Sequence, residues 1–212
     1  MFGTETVFSA FKTDPAGFSV ILKNIATICS EEVDGKQKFQ GIDNFRNLTD
    51  FIGKDAVWAG LKLDSPTGIY YGIAGLGEIA SMGMDTFLPI LGDLTALFGK
   101  ESVVSACSQN LFFLVLSGKE ISELKNAGYM DELARVINFI GQDAVSNNFV
   151  KAPTKTVRAL SEIINLGLVD IVGELSAFLG KDAVSAAFSK DPMGFVQKLE
   201  DLFLKHYRYR AE

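Results

Sequence analysis

One pattern of apolar and polar positions occurs five times along the chain. Each copy has Gly first, Asp or Glu two residues later and Val two residues after that, and an apolar residue precedes the Gly. We call this pattern the junction motif; its copies begin at Gly3, Gly53, Gly99, Gly141 and Gly180. The spacings of 50, 46, 42 and 39 residues are typical of stacked two- or three-helix units.

Each junction motif predicts the end of one helix and the start of another. Gly suits the end, because only a residue without Cβ adopts positive φ at little cost. The acid then lies in the first turn of the next helix, near its positive dipole end. The Val and the large apolar or Cys residue four positions later share one face of that helix, which we expect to be short, about nine residues.

A second helix is predicted after each short one. Pro follows a potential N-capping residue at Asp14-Pro15, Ser65-Pro66 and Asp191-Pro192, and Pro suits the first turn of a helix. Asn110-Leu111 replaces this pair in the copy at Gly99, so we expect a less sharp separation there. The predicted second helices are Pro15–Ser30, Pro66–Met82, Leu111–Asn126, Pro153–Leu166 and Pro192–Tyr207, with Gly83, Gly128 and Gly167 as C-terminal caps and with Glu31–Lys38 as an exposed loop.

A third helix returns to the next junction Gly. The positions one, two, five and eight residues before that Gly are apolar in every unit, which predicts one buried stripe. Asp43, Asp131 and Asp170 fall near the helix start, where a carboxylate is favourable, and Pro89 takes that place in the second unit. The stripe comprises Ile52, Phe51, Leu48, Phe45, Phe98, Leu97, Leu94, Leu91, Ile140, Phe139, Val136, Leu133, Leu179, Phe178, Leu175 and Val172.

Three helices per unit, the first one short, resemble an armadillo-type repeat in length and order over nearly the whole chain. The resemblance implies an all-α, right-handed α-solenoid of about five three-helix repeats, with about 14 helices and no sheet, as a single domain over residues 1–212. By the same resemblance the last helix of each unit lines a concave binding face. The polar ridge between the stripe positions is therefore the candidate partner-binding surface: Arg46, Asn47, Asp50, Asp93, Arg135, Asn138 and Glu174.

Composition narrows the classes of function. The 212 residues carry a net charge of −6, which argues against the concentrated basic face that nucleic-acid backbones require. The apolar region from Ile69 to Phe98 contains Glu78, Asp85 and Asp93, whereas a spanning helix needs about 20 residues with almost no charge. No signal peptide is expected at the start. Two cysteines in helical patterns, Cys29 and Cys107, are interpreted as buried free thiols, which favours a reducing, cytoplasmic-type compartment.

No residue pattern predicts catalysis, a metal or a cofactor. His206 is the only histidine and lies among cations in the segment 205–210, where an oriented catalytic base is not expected, and one His with two distant Cys cannot form a tetrahedral metal site. Lys54, Lys100 and Lys181 follow junction glycines and are interpreted as solvated charges rather than as a ladder for acidic groups. The glycines of 72–77 are attributed to close helix packing.

The sequence therefore predicts a non-enzymatic protein-interaction scaffold that binds a protein or an extended peptide. Two alternatives stay open: nucleic-acid binding by a helical array, and structural self-assembly through the ends of the array. The second arises because both end repeats are incomplete, and terminal repeats usually need polar caps. Apolar side chains at risk of exposure there are Val7, Phe8, Phe11, Phe195, Leu199, Leu202 and Phe203.

Overall fold

The computed structural model describes the backbone of residues 4–33, 36–39, 42–62 and 65–210, and the side chains of 7–30, 42–62, 65 and 67–204. The described residues are almost entirely helical, as predicted, and they form 14 helices. The helices are α1 (Thr4–Thr13), α2 (Pro15–Ile28), α3 (Asp43–Ile52), α4 (Lys54–Gly60), α5 (Pro66–Met82), α6 (Met84–Phe98), α7 (Lys100–Gln109), α8 (Leu111–Asn126), α9 (Met130–Ile140), α10 (Gln142–Lys151), α11 (Pro153–Asn165), α12 (Val169–Leu179), α13 (Lys181–Lys190) and α14 (Pro192–Arg210).

The junction glycines have the backbone conformation that the motif predicts. Gly53, Gly99, Gly141 and Gly180 have φ values of 101°, 83°, 115° and 88°, which side chains with a Cβ rarely adopt. Gly3 lies outside the described residues. The three glycines predicted as C-terminal caps, Gly83, Gly128 and Gly167, also have positive φ. Among the described residues, glycine with positive φ therefore follows seven helices: α3, α5, α6, α8, α9, α11 and α12.

Side-chain caps start several of the second helices. The Asp14 carboxylate accepts a hydrogen bond from the Gly17 N–H at 3.0 Å, and the Ser65 hydroxyl accepts one from Gly68 at 3.1 Å, as predicted. The expected blurring at Asn110 was wrong. Its side-chain oxygen accepts from the Phe112 N–H at 3.0 Å, so an amide cap separates α7 from α8 as sharply as a proline does.

Two local predictions were wrong. Residues expected to form an exposed loop include two antiparallel strands, β1 (Ser30–Val33) and β2 (Lys36–Phe39), whose register pairs Ser30 with Phe39. The expectation of no sheet was wrong for these two strands. Their backbone hydrogen bonds form by pairing with each other, and their sequence lacks the alternation of apolar and polar residues that predicts a strand. Pro89 lies inside α6 rather than near its start, since that helix begins directly after Gly83.

The chain divides into two compact units. Unit 1 comprises Met1–Asp93 with Val103–Gly118, and unit 2 comprises Leu94–Ser102 with Lys119–Glu212. In unit 1, α2 packs on α5 and α3 packs on α4. The Asn24 amide donates to the Ile73 carbonyl at 3.0 Å, which fixes the α2–α5 pair. Phe45, Leu48, Val57, Leu76 and Phe87 are among the fully buried side chains of this unit.

In unit 2, helices that correspond in the motif pattern pack on one another. Helix α9 contacts α12, α10 contacts α13, and α11 contacts α14. The rings of Phe98 and Phe149 stack in parallel with centroids 4.1 Å apart. Side-chain donors join neighbouring motif copies: the Gln142 amide donates to the Leu97 carbonyl at 2.5 Å, and the Ser185 hydroxyl donates to the Ile140 carbonyl.

Most of the predicted apolar stripe is buried, but its last members are not. Phe178 and Leu179 are exposed, whereas Ile52, Phe98 and Ile140, at the position that corresponds to Leu179, are buried. The prediction for Phe178 and Leu179 was wrong because burial of this face requires a neighbouring helix pair, which the C-terminal end of α12 lacks among the described residues. The remaining stripe residues are buried, apart from the partly buried Phe51, Phe139 and Leu175.

Exposure at the ends of the chain follows the sequence only in part. Phe8, Phe11 and Leu202 are exposed, as anticipated, whereas Phe195 and Leu199 are buried. The two buried residues lie on the face of α14 that packs toward α11 and α13, so neighbours within unit 2 cover them. No helix in the described part of the chain combines the length and the hydropathy needed to cross a membrane.

Candidate functional site

Apart from Asp93, the residues of the polar ridge are exposed in both units, as their helical spacing predicts. In unit 1, Arg46, Asn47 and Asp50 are exposed on α3, and Asp93 is partly buried on α6. In unit 2, Arg135 and Asn138 are exposed on α9 and Glu174 is exposed on α12. Each unit contributes its own part of the ridge.

The ridge of unit 1 borders a shallow cavity. Its volume is about 300 Å³, and it is lined by Ile42, Arg46, Thr49, Asp50 and Lys54. The Arg46 guanidinium donates to the Asp43 carboxylate at 2.8 Å. Both side chains of that pair are more than half exposed, so the pair adds little to stability. It holds the guanidinium at the cavity edge, where the carboxylate of Asp50 supplies the opposite charge.

The ridge of unit 2 contains a pair between two helices. The Arg135 guanidinium on α9 donates to the Asp170 carboxylate on α12 at 2.6 Å, and its Cζ lies 5.8 Å from the centroid of the Phe139 ring. A guanidinium over an aromatic face is attracted by the ring quadrupole. These contacts orient Arg135, whereas its neighbours Asn138 and Glu174 are exposed.

Sequence reasoning missed two grooves between neighbouring junction motifs of unit 2. The first, with a volume of about 700 Å³, lies between the copies at Gly99 and Gly141. The second, about 370 Å³, lies between the copies at Gly141 and Gly180. Together the groove linings include Lys100, Glu101, Ser102, Gln142, Asp143, Ser146, Asn147, Lys181, Asp182 and Ser185. The signal was present in the sequence, because these residues occupy the polar positions of the motif.

The grooves have mixed charge and offer backbone donors. Each contains at least one lysine and at least one acidic side chain from the start of a short helix. The helices α10 and α13 begin after Gly141 and Gly180, and neither has a side-chain cap. The first N–H groups of a helix lack intrahelical carbonyl partners. The grooves can therefore donate to carbonyl or carboxylate oxygens while balancing the charge of a partner.

The lysines after the junction glycines belong to different surfaces within the two units. Lys54 is exposed in unit 1, whereas Lys100 and Lys181 line separate grooves in unit 2. An acidic residue follows each of them, so no groove presents a purely cationic surface. This arrangement agrees with their interpretation as charges at solvated helix starts.

The two cysteines are free and buried, as predicted. Burial raises the pKa of the Cys107 thiol to about 12, and its Sγ lies 3.8 Å from the Ala56 carbonyl oxygen. Burial also raises the pKa of Cys29. Since the thiolate is the nucleophile, neither residue is prepared for thiol chemistry.

Gly72 and Gly75 of α5 serve close packing, as predicted, whereas a Cβ at Gly77 would lie 3.6 Å from its nearest atom, the Asn24 amide nitrogen. A Cβ added at Gly75 would lie 3.1 Å from the Phe112 backbone nitrogen, and one at Gly72 would lie 2.6 Å from the Leu61 carbonyl oxygen. Small residues at these positions let the backbones of unit 1 approach closely. No phosphate-binding role is needed to account for them.

One partly buried carboxyl group, that of Glu120, lies outside the ridge and the grooves. Burial raises the pKa of Glu120 on α8, and the charges of Glu123 and Glu162 act in the same direction. The Ser161 hydroxyl and Arg158 oppose the shift. The Ser161 oxygen is buried and makes no hydrogen bond of normal geometry in the described part of the chain, so it stabilises the carboxylate only weakly.

Searches for related proteins give no identification. No family model, curated protein or solved structure matches the chain. The described residues contain no group of three or more His, Cys, Asp or Glu side chains placed to share a metal ion. The His206 side chain lies outside the described residues. The ridge and the two grooves are therefore the candidate surfaces that the geometry itself provides.

Proposed function

We propose that the protein is a non-enzymatic interaction scaffold that binds a protein or an extended peptide. The observation that carries the proposal is the recurrence of the same motif positions in consecutive grooves of unit 2. The first, second and fifth residues after a junction Gly line both grooves: Gln142, Asp143 and Ser146 in one, and Lys181, Asp182 and Ser185 in the other. A periodic surface of this kind suits a ligand with its own repeat, such as an extended backbone.

A right-handed α-solenoid is the architecture proposed for this scaffold. The packing of α9 on α12, α10 on α13 and α11 on α14 supports it in unit 2, and the packing of α2 on α5 supports it in unit 1. Armadillo-type repeats have the same helix order. The single domain and the reducing, cytoplasmic-type compartment stay predictions.

Charge favours a polypeptide over a nucleic acid as the partner. A nucleic-acid backbone is bound by releasing counterions from lysine and arginine contacts. In the grooves, Glu101, Asp143 and Asp182 lie beside the lysines and offset their attraction for phosphate. A peptide that carries both signs of charge matches the lining better.

An affinity capture with matched variants tests the proposal. Protein recovered from a native extract by the wild type is compared with that recovered by Arg135→Ala/Asn138→Ala, which changes the ridge, and by Asp143→Lys, which reverses one charge shared by both grooves. Lys151→Ala/Lys155→Ala changes two exposed residues of α10 and α11 and is the control. All four proteins must keep the helical circular dichroism of the wild type.

We expect a discrete protein that the wild type and the control retain and that at least one surface variant loses. Equal recovery by all four proteins would refute the ridge and the grooves as the binding surface. A parallel capture after nuclease treatment separates the alternative: recovery that depends on intact nucleic acid would replace the scaffold proposal with nucleic-acid binding.

A further inference from the structure

Helices α12 and α14, which contact each other in unit 2, both expose apolar side chains. At the C-terminal end of α12, Phe178 is 85% exposed and Leu179 is 55% exposed, and Leu202 on α14 is 51% exposed. Phe178 and Leu179 stand directly before a junction Gly. We call these three residues the α12–α14 edge.

The chain itself shows how such an edge is covered. The residues 39 positions earlier than Phe178, Leu179 and Leu202 are Phe139, Ile140 and Ile163. Ile140 and Ile163 are completely buried. The Ser176 hydroxyl donates to the Phe139 carbonyl at 3.0 Å, and the Ser185 hydroxyl donates to that of Ile140. The covering element is thus the next motif-bearing pair of helices, α12 and α13.

Helix α1 exposes the complementary surface. Phe8 is 61% exposed and Phe11 is 48% exposed. Phe11 stands eight residues after its junction Gly, where the corresponding residues of the other four copies are completely buried: Leu61, Cys107, Phe149 and Phe188. Phe8 stands five residues after its Gly, which is the position of Ser185, the residue that contacts the preceding junction in unit 2.

We propose that the α12–α14 edge of one molecule binds helix α1 of a second molecule of the same chain. In this contact Phe8 takes the place that Ser185 has inside unit 2, and it packs against Phe178 and Leu179. The aromatic ring of Phe8 can pack on the apolar α12–α14 edge, whereas the Ser185 hydroxyl donates to the Ile140 carbonyl. Because two different surfaces meet, the contact is heterologous rather than two-fold symmetric.

This inference is independent of the partner proposed above, because the contact uses neither the ridge nor the lining of the grooves. Helix α1 of a second molecule is chosen as the occupant because the same kind of contact occurs inside unit 2. In unit 2, the residue before one junction Gly is covered by the short helix that follows the next junction Gly: Phe98 stacks on Phe149 of α10, and the Ile140 carbonyl accepts from Ser185 of α13. Among the short helices with described side chains, α1 is the one that exposes its residue eight positions after the Gly.

Two single variants and their mixture test the inference. The full-length wild type, Phe178→Glu and Phe8→Glu are compared by sedimentation velocity from micromolar to millimolar concentration. Both substituted side chains are mostly exposed, so the helical circular dichroism should not change. Tyr70→Glu is the control, because Tyr70 is similarly exposed but lies on neither surface.

We expect the wild type and the control to associate with rising concentration, and each of the two variants to associate about tenfold or more weakly, since loss of a central aromatic contact typically costs that much. An equimolar mixture of Phe8→Glu and Phe178→Glu should form a 1:1 complex, because one variant keeps the edge and the other keeps α1. A monomeric wild type at every concentration would overturn the inference. So would self-association of Phe8→Glu as strong as that of the wild type, or a mixture that stays monomeric.

Discussion

Alanine at two corresponding glycines should separate the cost of the junction backbone from the value of the packing that covers it. Gly141 and Gly180 have φ values of 115° and 88°, and both lie in unit 2. A Cβ at Gly180 would meet no atom within 4 Å, whereas one at Gly141 would lie 2.7 Å from the Ser185 hydroxyl oxygen. Gly180→Ala therefore measures backbone strain alone, and Gly141→Ala adds the displacement of Ser185.

The magnitudes follow from the two environments. Placing a residue with Cβ in this region of φ and ψ costs of order 1–3 kcal/mol. Alanine also reduces the conformational entropy of the unfolded chain, which offsets about 0.4–1 kcal/mol of that cost. Gly180→Ala should therefore destabilise unit 2 by about 1–2 kcal/mol. At Gly141 the Ser185 hydroxyl must also move and lose its hydrogen bond to the Ile140 carbonyl. That loss should add about 0.5–1.5 kcal/mol.

Urea unfolding followed by far-ultraviolet circular dichroism gives the free energies, since both glycines belong to the same unit. A double-mutant cycle with Ser185→Ala isolates the interaction. In the Ser185→Ala background the hydroxyl is absent, so Gly141→Ala should cost no more than Gly180→Ala costs in the wild type. Equal losses for the two glycine variants, or an unchanged Gly141→Ala cost without the hydroxyl, would refute this reasoning.

Three further predictions concern other positions. Gly60→Ala should destabilise the protein by about 1–3 kcal/mol, because the added Cβ would overlap the Cys107 carbonyl. Gly92→Ala on α6 should stabilise the protein by about 0.5–1 kcal/mol, because the added Cβ would meet no atom within 4 Å. Urea unfolding of the two variants compares these free energies. Cys107, with its pKa raised to about 12, should resist iodoacetamide at neutral pH until the protein unfolds, and alkylation of the native protein would contradict its burial. Burial raises the folded pKa of Glu120 above its ordinary value of 4.5, so the stability of the folded state falls as pH rises from 4.5 through the folded pKa. Glu120→Gln should therefore raise the melting temperature at neutral pH, and this advantage should disappear below pH 4.5.

The helix boundaries could be predicted because single residues determine them. Glycine with positive φ ends a helix at Gly53 and Gly141, and a side-chain cap followed by proline starts one at Asp14 and Ser65. The residues after Ser30 gave no such signal. Their polar composition lacks the alternation that announces a half-buried strand, so the hairpin of β1 and β2 could not be distinguished from a loop.

The candidate site was predictable only as far as one helix determines it. Exposure of Arg46, Arg135 and Asn138 follows from helical spacing, and the structure agrees. The grooves depend on how one junction motif lies against the next, and no spacing within a single helix encodes that distance. The apolar residues before Gly141 and Gly180 look alike in sequence but differ in burial. In the described part of the chain, only the residues before Gly141 have a neighbouring helix that covers them.

The comparison of Gly141 with Gly180 also bears on the proposed contact between molecules. That proposal takes the cover of Ile140 by α13 as its template, and the extra cost of Gly141→Ala measures how sensitive unit 2 is to a disturbance of this cover. If Gly141→Ala costs clearly more free energy than Gly180→Ala, then the contact between a short helix and the preceding junction contributes stability. Covering the exposed junction at Leu179 with α1 of a second molecule should then be stabilising as well. If the two variants were equally costly, the junction cover would be a loose contact, and the association of Phe8 with Phe178 would have to rest on its apolar surface alone. Sedimentation of Phe8→Glu would then decide whether that surface is enough.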